Sequence, residues 1–217
     1  MNIAVLFDMD GVIVDSNPYH KKAFEQFFEE HEVSLSDEEL KTHVYGRTNK
    51  EIMPYVFKDD YTPEKGEVWA DEKEALFRDL YKSDIEPVKD LVPFLQQLRA
   101  ANIKTAVGTS APRANLDFVL DALAIREYFD ALLDSTDVIS GKPDPEIYLN
   151  SAQKLGIDPS ACIVIEDSLA GVQAGLSAGM KVIGITTTHT PEELANTHLV
   201  IDDYEGLTVD RLLALVG

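Results

Sequence analysis

The sequence predicts an α/β fold: a three-layer core, with helices on both faces of a parallel sheet, carrying one inserted α-helical domain. Three observations predict it. Short, mainly apolar runs, most of them rich in β-branched residues, lie at 3–7, 103–107, 131–133, 162–165 and 181–185, as expected of strands buried on both faces. Between them, apolar residues recur at helical spacing. From about residue 17 to 81 the alternation stops, and the pattern is helical with no convincing strand.

The first run, Ile3-Ala4-Val5-Leu6-Phe7, stops at Asp8. It is too short for a membrane span and has no signal-peptide pattern, so a cytoplasmic protein is expected. In the insertion, Ala23, Phe24, Phe27 and Phe28 form one apolar face, and Ser36-Asp37-Glu38-Glu39 reads as a capped helix start. Pro54, Pro63 and Gly66 punctuate the rest, and residues 67–81 read as a long amphipathic helix. Glu86-Pro87 marks the return to the core, which places the domains at 1–15 with 87–217, and at 16–86. Beyond it, Leu91, Phe94, Leu95 and Leu98 repeat at i, i+3, i+4 and i+7, as do Leu116, Val119, Leu120 and Leu123. Tyr148, Ala152 and Leu155 mark a further helix, ended by Gly156. Such alternation implies right-handed crossovers and a Rossmann-like parallel sheet.

At 217 residues and 45% hydrophobic, the chain can build one large domain or a core with a smaller insertion. It carries 39 acidic against 19 basic residues, a net charge of −20, which repels nucleic acid and anionic lipid and excludes both as expected partners. Cys162 is the only cysteine, so neither an internal disulfide nor a cysteine-rich zinc cluster can form. In its apolar run it reads as a buried, inert thiol. A monomer is expected.

Ligands of open parallel sheets bind beyond the carboxyl ends of the strands. Asp8-Met9-Asp10-Gly11-Val12 lies at such an end. Two carboxylates so spaced can lean toward one reacting atom. Asp8 can attack phosphorus to give a mixed anhydride, and a protonated Asp10 can release its proton to the leaving oxygen and then take one from water. Two anions beside a phosphate require a cation among them. Gly11 permits the tight turn. The same residues also read as a plain turn or a calcium-loop fragment, although the further Asp/Asn positions and the distal Glu of such a loop are missing.

Each later strand end carries another group. Gly108-Thr109-Ser110 offers a hydroxyl and backbone N–H groups, as a phosphate cradle or as a helix N-cap. Lys142, in Ser140-Gly141-Lys142-Pro143-Asp144-Pro145, stands on a backbone stiffened by two prolines. It can neutralise a phosphate and Asp8, or it is a solvated loop lysine. Glu166-Asp167-Ser168 puts adjacent acids at a strand end, expensive unless they face a cation or water. Coordination by Asp8, the Asp10 carbonyl, Asp167 and Glu166 suits a hard ion such as Mg²⁺; N-capping by Asp167 or Ser168 is the other reading. On so acidic a chain, a metal, a lysine and backbone N–H groups must supply the local positive field a phosphate ester needs.

Together the four motifs resemble, in order and over nearly the whole chain, those of haloacid dehalogenase superfamily phosphotransferases. That likeness implies Asp8 as nucleophile and Asp10 as general acid/base. It implies Asp8, Asp10, Asp167 and Glu166 as Mg²⁺ ligands, with Thr109, Ser110 and Lys142 holding phosphoryl oxygens. The insertion resembles the small helical cap of the subgroup containing β-phosphoglucomutase, and Val14-Asp15-Ser16-Asn17-Pro18-Tyr19-His20 is similar to that subgroup too. There the equivalents of Ser16 and His20 help position the acid/base group; hinge capping and packing are the alternatives for both. Tyr45-Gly46-Arg47-Thr48-Asn49-Lys50 falls at the family's substrate loop. A β-phosphoglucomutase would show lysine before that glycine and arginine three residues after it, where this chain has Tyr45 and Asn49. Arg47 or Lys73 would compensate at a distal phosphate or sugar, or is a solvated helix charge. The resemblance with this departure implies a Mg²⁺-dependent phosphatase acting on a small phosphorylated metabolite such as a sugar phosphate. A mutase is the second reading, and a pyrophosphatase or a non-catalytic phosphate-binding protein are further alternatives.

Overall fold

Chain order alternates strand and helix around one helical stretch in the computed structural model, which describes residues 3–45 and 47–217. The chain divides into one unit of residues up to Asp15 with Ile85–Gly217 and a second of Ser16–Asp84. Strand β1 (Ala4–Phe7) leads into the second unit, where α1 (Asn17–Glu30), α2 (Asp37–His43), α3 (Asn49–Phe57) and α4 (Pro63–Tyr81) follow one another. The first unit resumes with α5 (Leu91–Ala100), β2 (Lys104–Gly108), α6 (Arg113–Ala122), β3 (Ala131–Leu133), α7 (Glu146–Leu155) and β4 (Cys162–Glu166). It ends with α8 (Leu169–Ser177), β5 (Lys181–Ile185), β6 (Leu199–Ile201) and α9 (Val209–Val216).

The strands form one parallel sheet in the order β3-β2-β1-β4-β5-β6. β1 lies between β2 and β4, with Phe7 opposite Val107 on one side and Ile165 on the other. All four of its residues are fully buried, which explains the unbroken apolar run. Ala4 and Leu6 pack into a cluster with Tyr148 and Ala152 of α7 and Val172 of α8. The Phe7 ring meets Phe94 of α5 and Tyr204, each at 6.3 Å between centroids. Helices therefore cover both faces, as the sequence predicts. Strand β6 and helix α9 were not predicted. β6 is only three residues long, two of them partly exposed, and its pairing with β5 rather than its composition makes it a strand.

In the helical unit, Phe24, Phe27 and Phe28 pack with Val44, Ile52 and Met53. The predicted start at Ser36 is a reciprocal cap: Glu39 N–H donates to Ser36 Oγ at 3.3 Å, and Ser36 N–H donates to Glu39 Oε2 at 2.9 Å. Helix α4 begins at Pro63, earlier than the predicted residue 67, because Thr62 caps it and proline is tolerated in a first turn. Pro54 lies inside α3 rather than ending it.

Candidate active site

The loop after β1 turns back at once. Ile13 and Val14 donate to the Met9 carbonyl at 2.8 and 3.3 Å, and Gly11 donates to Val14 at 2.7 Å. Gly11 has φ +77°, and an added Cβ there would stand 2.0 Å from Asp167 Oδ2. Only a residue without a side chain lets the loops after β1 and β4 approach so closely.

Asp8, Glu166 and Asp167 are all buried, and they offer carboxylate oxygens within 4.8 Å of one another. Lys142 Nζ lies 2.8 Å from Asp8 Oδ1 and 2.6 Å from Glu166 Oε1, its side chain only 7% exposed. The solvated-lysine reading is thereby set aside. Burial pushes the ammonium down, but Asp8 and Glu166 outweigh it and hold Lys142 above the ordinary lysine range. Burial likewise raises Asp8 to about 7 against the opposing pull of Lys142, with Glu166 and Asp10 adding to the rise. Asp167 is raised well above the carboxylate range by burial, then by Glu166 and Asp8.

Glu166, expected among the ligands of a cation, lies in the cluster, and both of its oxygens also accept hydrogen bonds. Oε1 accepts from Lys142 and from the Tyr148 hydroxyl, each at 2.6 Å. Oε2 accepts from Asp167 N–H and Ser168 N–H at 3.1 Å and from Ser168 Oγ at 3.0 Å. These donors hold Glu166 below the carboxylate range in spite of its burial. Ser168 also caps α8, accepting from Gly171 N–H at 3.0 Å, so that part of the capping alternative is real.

Thr109 is buried directly after β2, its N–H on the Leu133 carbonyl at 3.1 Å and its Oγ1 accepting from Ala111 N–H at 3.0 Å. Helix α6 starts only after Pro112, so neither Thr109 nor the exposed Ser110 is its N-cap. Asp10 is partly exposed beside this group.

The remaining predicted residues belong to the helical unit. Lys73 is 2% exposed, with Nζ 2.6 Å from Glu74 Oε1 and 3.2 Å from His20 Nδ1. His20 stacks on Phe77 at 3.7 Å, and Asn49 donates to Glu74 Oε1 at 2.7 Å. Lys73 is therefore a buried, paired charge rather than a solvated one. Thr48 N–H and Oγ1 both donate to Glu51, at 2.9 and 2.8 Å, and Arg47 pairs loosely with the same residue at 3.7 Å. Ser16 is buried, and its carbonyl accepts from Tyr19 and His20 at the start of α1. Gly46 lies outside the described residues.

Three contributors escaped sequence reasoning. Tyr148 was read only as an apolar helix position, yet its hydroxyl anchors Glu166. Thr187 and Thr188 follow β5, and donate to the Gly11 carbonyl and to Asp167 Oδ2. The rule that located the other groups, polar residues at strand carboxyl ends, applies equally to them.

When all three are ionised, the buried carboxylates share one ammonium and two negative charges are left to balance. Asp8 Oδ1 has that ammonium nearby but no aligned hydrogen bond. A hard divalent cation fits this donor set and this charge deficit.

A parallel α/β sheet carries a buried acid–lysine cluster at the carboxyl ends of its strands, and the segment between β1 and α5 forms a separate helical unit. The family model described as haloacid dehalogenase-like hydrolase matches residues 5–185, and the chain belongs to that family. It is 34% identical to a phosphorylated carbohydrates phosphatase of Thermotoga maritima, over 83% of this chain and 83% of that protein. It is 31% identical to a β-phosphoglucomutase of Bacillus subtilis, over 96% and 93%. Among solved structures, a family IA, variant 3 hydrolase of Entamoeba histolytica superposes with a TM-score of 0.89 at 32% identity, covering 99% of both chains.

Proposed function

We propose that the protein is a Mg²⁺-dependent phosphatase that hydrolyses a small sugar phosphate through an aspartyl phosphate on Asp8. The observation that carries this reading is the ion pair of Lys142 with Asp8 inside the buried acidic cluster. Asp8, the Asp10 carbonyl and Asp167 would hold the cation, while Glu166 keeps Lys142 in place. Bound there, Mg²⁺ supplies positive charge against both Asp8 and the phosphate. Asp8 forms a bond to phosphorus as the ester P–O bond breaks, and Asp10 gives its proton to the leaving oxygen. Asp10 then takes a proton from water as that water attacks phosphorus, breaking the bond to Asp8 and releasing inorganic phosphate. Lys142 and Thr109, with Ser110, hold the phosphoryl oxygens in both steps.

Substrate selection is assigned to the helical unit, through His20, the segment Gly46-Arg47-Thr48-Asn49 and Lys73. The Thermotoga relative, a phosphorylated carbohydrates phosphatase, supports a phosphorylated carbohydrate as substrate. Among the described residues no helix is long and apolar enough to cross a membrane; we place the protein in the cytoplasm, as a monomer.

A Mg²⁺-dependent screen of phosphorylated metabolites, scoring inorganic phosphate and isomerised product together, tests the proposal. Phosphate is the expected product, and Asp8→Asn is expected to lower its release at least about a thousandfold with the fold intact. The Bacillus relative favours one second reading, a mutase. Conversion of β-glucose 1-phosphate to glucose 6-phosphate, stimulated by a bisphosphate and with little phosphate released, would establish it instead.

A further inference from the structure

We propose that Thr188, together with Thr187, is a positioning residue that sets the affinity of the acidic site for its divalent cation by clamping the loop after β1 to Asp167. Three observations in the first unit meet here. Thr187 Oγ1 donates to the Gly11 carbonyl at 2.5 Å. Thr188 Oγ1 donates to Asp167 Oδ2. The same oxygen, Oδ2, rests on Gly11 so closely that a Cβ would meet it at 2.0 Å. Two adjacent hydroxyls from the loop after β5 thus bind both sides of the junction between the Asp8–Gly11 turn and the Asp167 carboxylate.

The junction matters because the donors come from different strands. Asp8 is fixed by β1, through its N–H on the Ile165 carbonyl at 3.1 Å, and Asp167 by the end of β4. The direction in which the Asp167 carboxylate faces is set by its side-chain rotamer. A donor on Oδ2 selects one rotamer, so less ordering remains for the cation to impose, and groups that orient metal ligands in this way typically change affinity 10–100-fold. Thr188 itself is exposed, so its hydroxyl can be removed without opening the core.

The inference rests on the cation site proposed above, and the test separates the two. Mg²⁺ is titrated by calorimetry into the wild-type protein, Thr188→Val and Thr188→Ser, with melting temperatures recorded in EDTA. The expected result is a Kd about 10-fold or more weaker for Thr188→Val, within about 3-fold of wild type for Thr188→Ser, and unchanged melting without metal. Activity of Thr188→Val should recover at saturating Mg²⁺. Equal affinity in the valine variant overturns the clamp and leaves the cation site standing. No binding to the wild type overturns the site and the clamp with it. Should valine lower the metal-free melting temperature, Thr187→Val is the second test: unchanged Mg²⁺ affinity there would overturn the clamp.

Discussion

Lys142 stands between Asp8 and Glu166 with almost no exposure, where it neutralises part of their charge. Removing one partner of a buried ionic group costs about 3–5 kcal/mol, because the remaining charge has neither water nor counterion. Lys142→Met in metal-free protein is therefore expected to lose about that much stability at pH 7.5, read by urea unfolding. At pH 5 the loss should shrink, since Asp8 and Asp167, both already raised by burial, can take up protons. An equal loss at both pH values would refute this account. Asp8, Lys142 and Asp167 were legible because charged residues at the ends of apolar strands are costly without a purpose. Tyr148 was not, since a tyrosine at a helical apolar position reads as core until its hydroxyl is located. The engagement of both Glu166 oxygens was equally invisible, because adjacent acids in sequence do not say which one faces the donors.

At the level of elements, the start of α8 is built around Glu166. A Cβ on Gly171 would lie 1.7 Å from Glu166 Oε1, and Glu166 cannot yield without releasing Lys142. Gly171→Ala should therefore abolish most phosphatase activity and cost about 1–3 kcal/mol. Gly156, which ends α7 with φ +68°, has nothing within 4 Å of such a Cβ. Gly156→Ala should cost about 1 kcal/mol through backbone strain alone and keep full activity. Comparable activity in the two variants would show that α8 does not support the site. The helical unit was legible from its caps and phenylalanine stripe; β6 was not, since a three-residue strand carries too little pattern to separate it from a loop.

For the molecule as a whole, a charge of −20 opposes compaction, and the acidic site concentrates that opposition in a buried place. Asp8 is an acid with its folded pKa raised from 3.8 to about 7. The metal-free folded state thus binds this proton more tightly than the unfolded chain, and this group's contribution to stability falls as pH rises from about 4 through 7. A cation at the site reverses that loss by replacing the proton. Millimolar Mg²⁺ should consequently raise the melting temperature more at pH 8 than at pH 5.5, with NaCl of equal ionic strength as the control for general screening. A gain independent of pH would mean that Mg²⁺ acts only on the overall charge.

From residue order alone came the parallel α/β core, the helical insertion, and the acids, lysine and hydroxyl that follow its strands. These are legible because burial on both faces and helical spacing are local signals, and because parallel strands deliver their ends to one rim. Only the tertiary structure decided that Glu166 serves Lys142, that Lys73 is neutralised by Glu74 within the helical unit, and that the threonines after β5 reach Gly11 and Asp167. Apart from Lys73 and Glu74, which are neighbours on α4, those pairings join residues from separate elements, and which donor meets which oxygen is set by packing at the ångström scale, a distance that no periodicity in a sequence encodes.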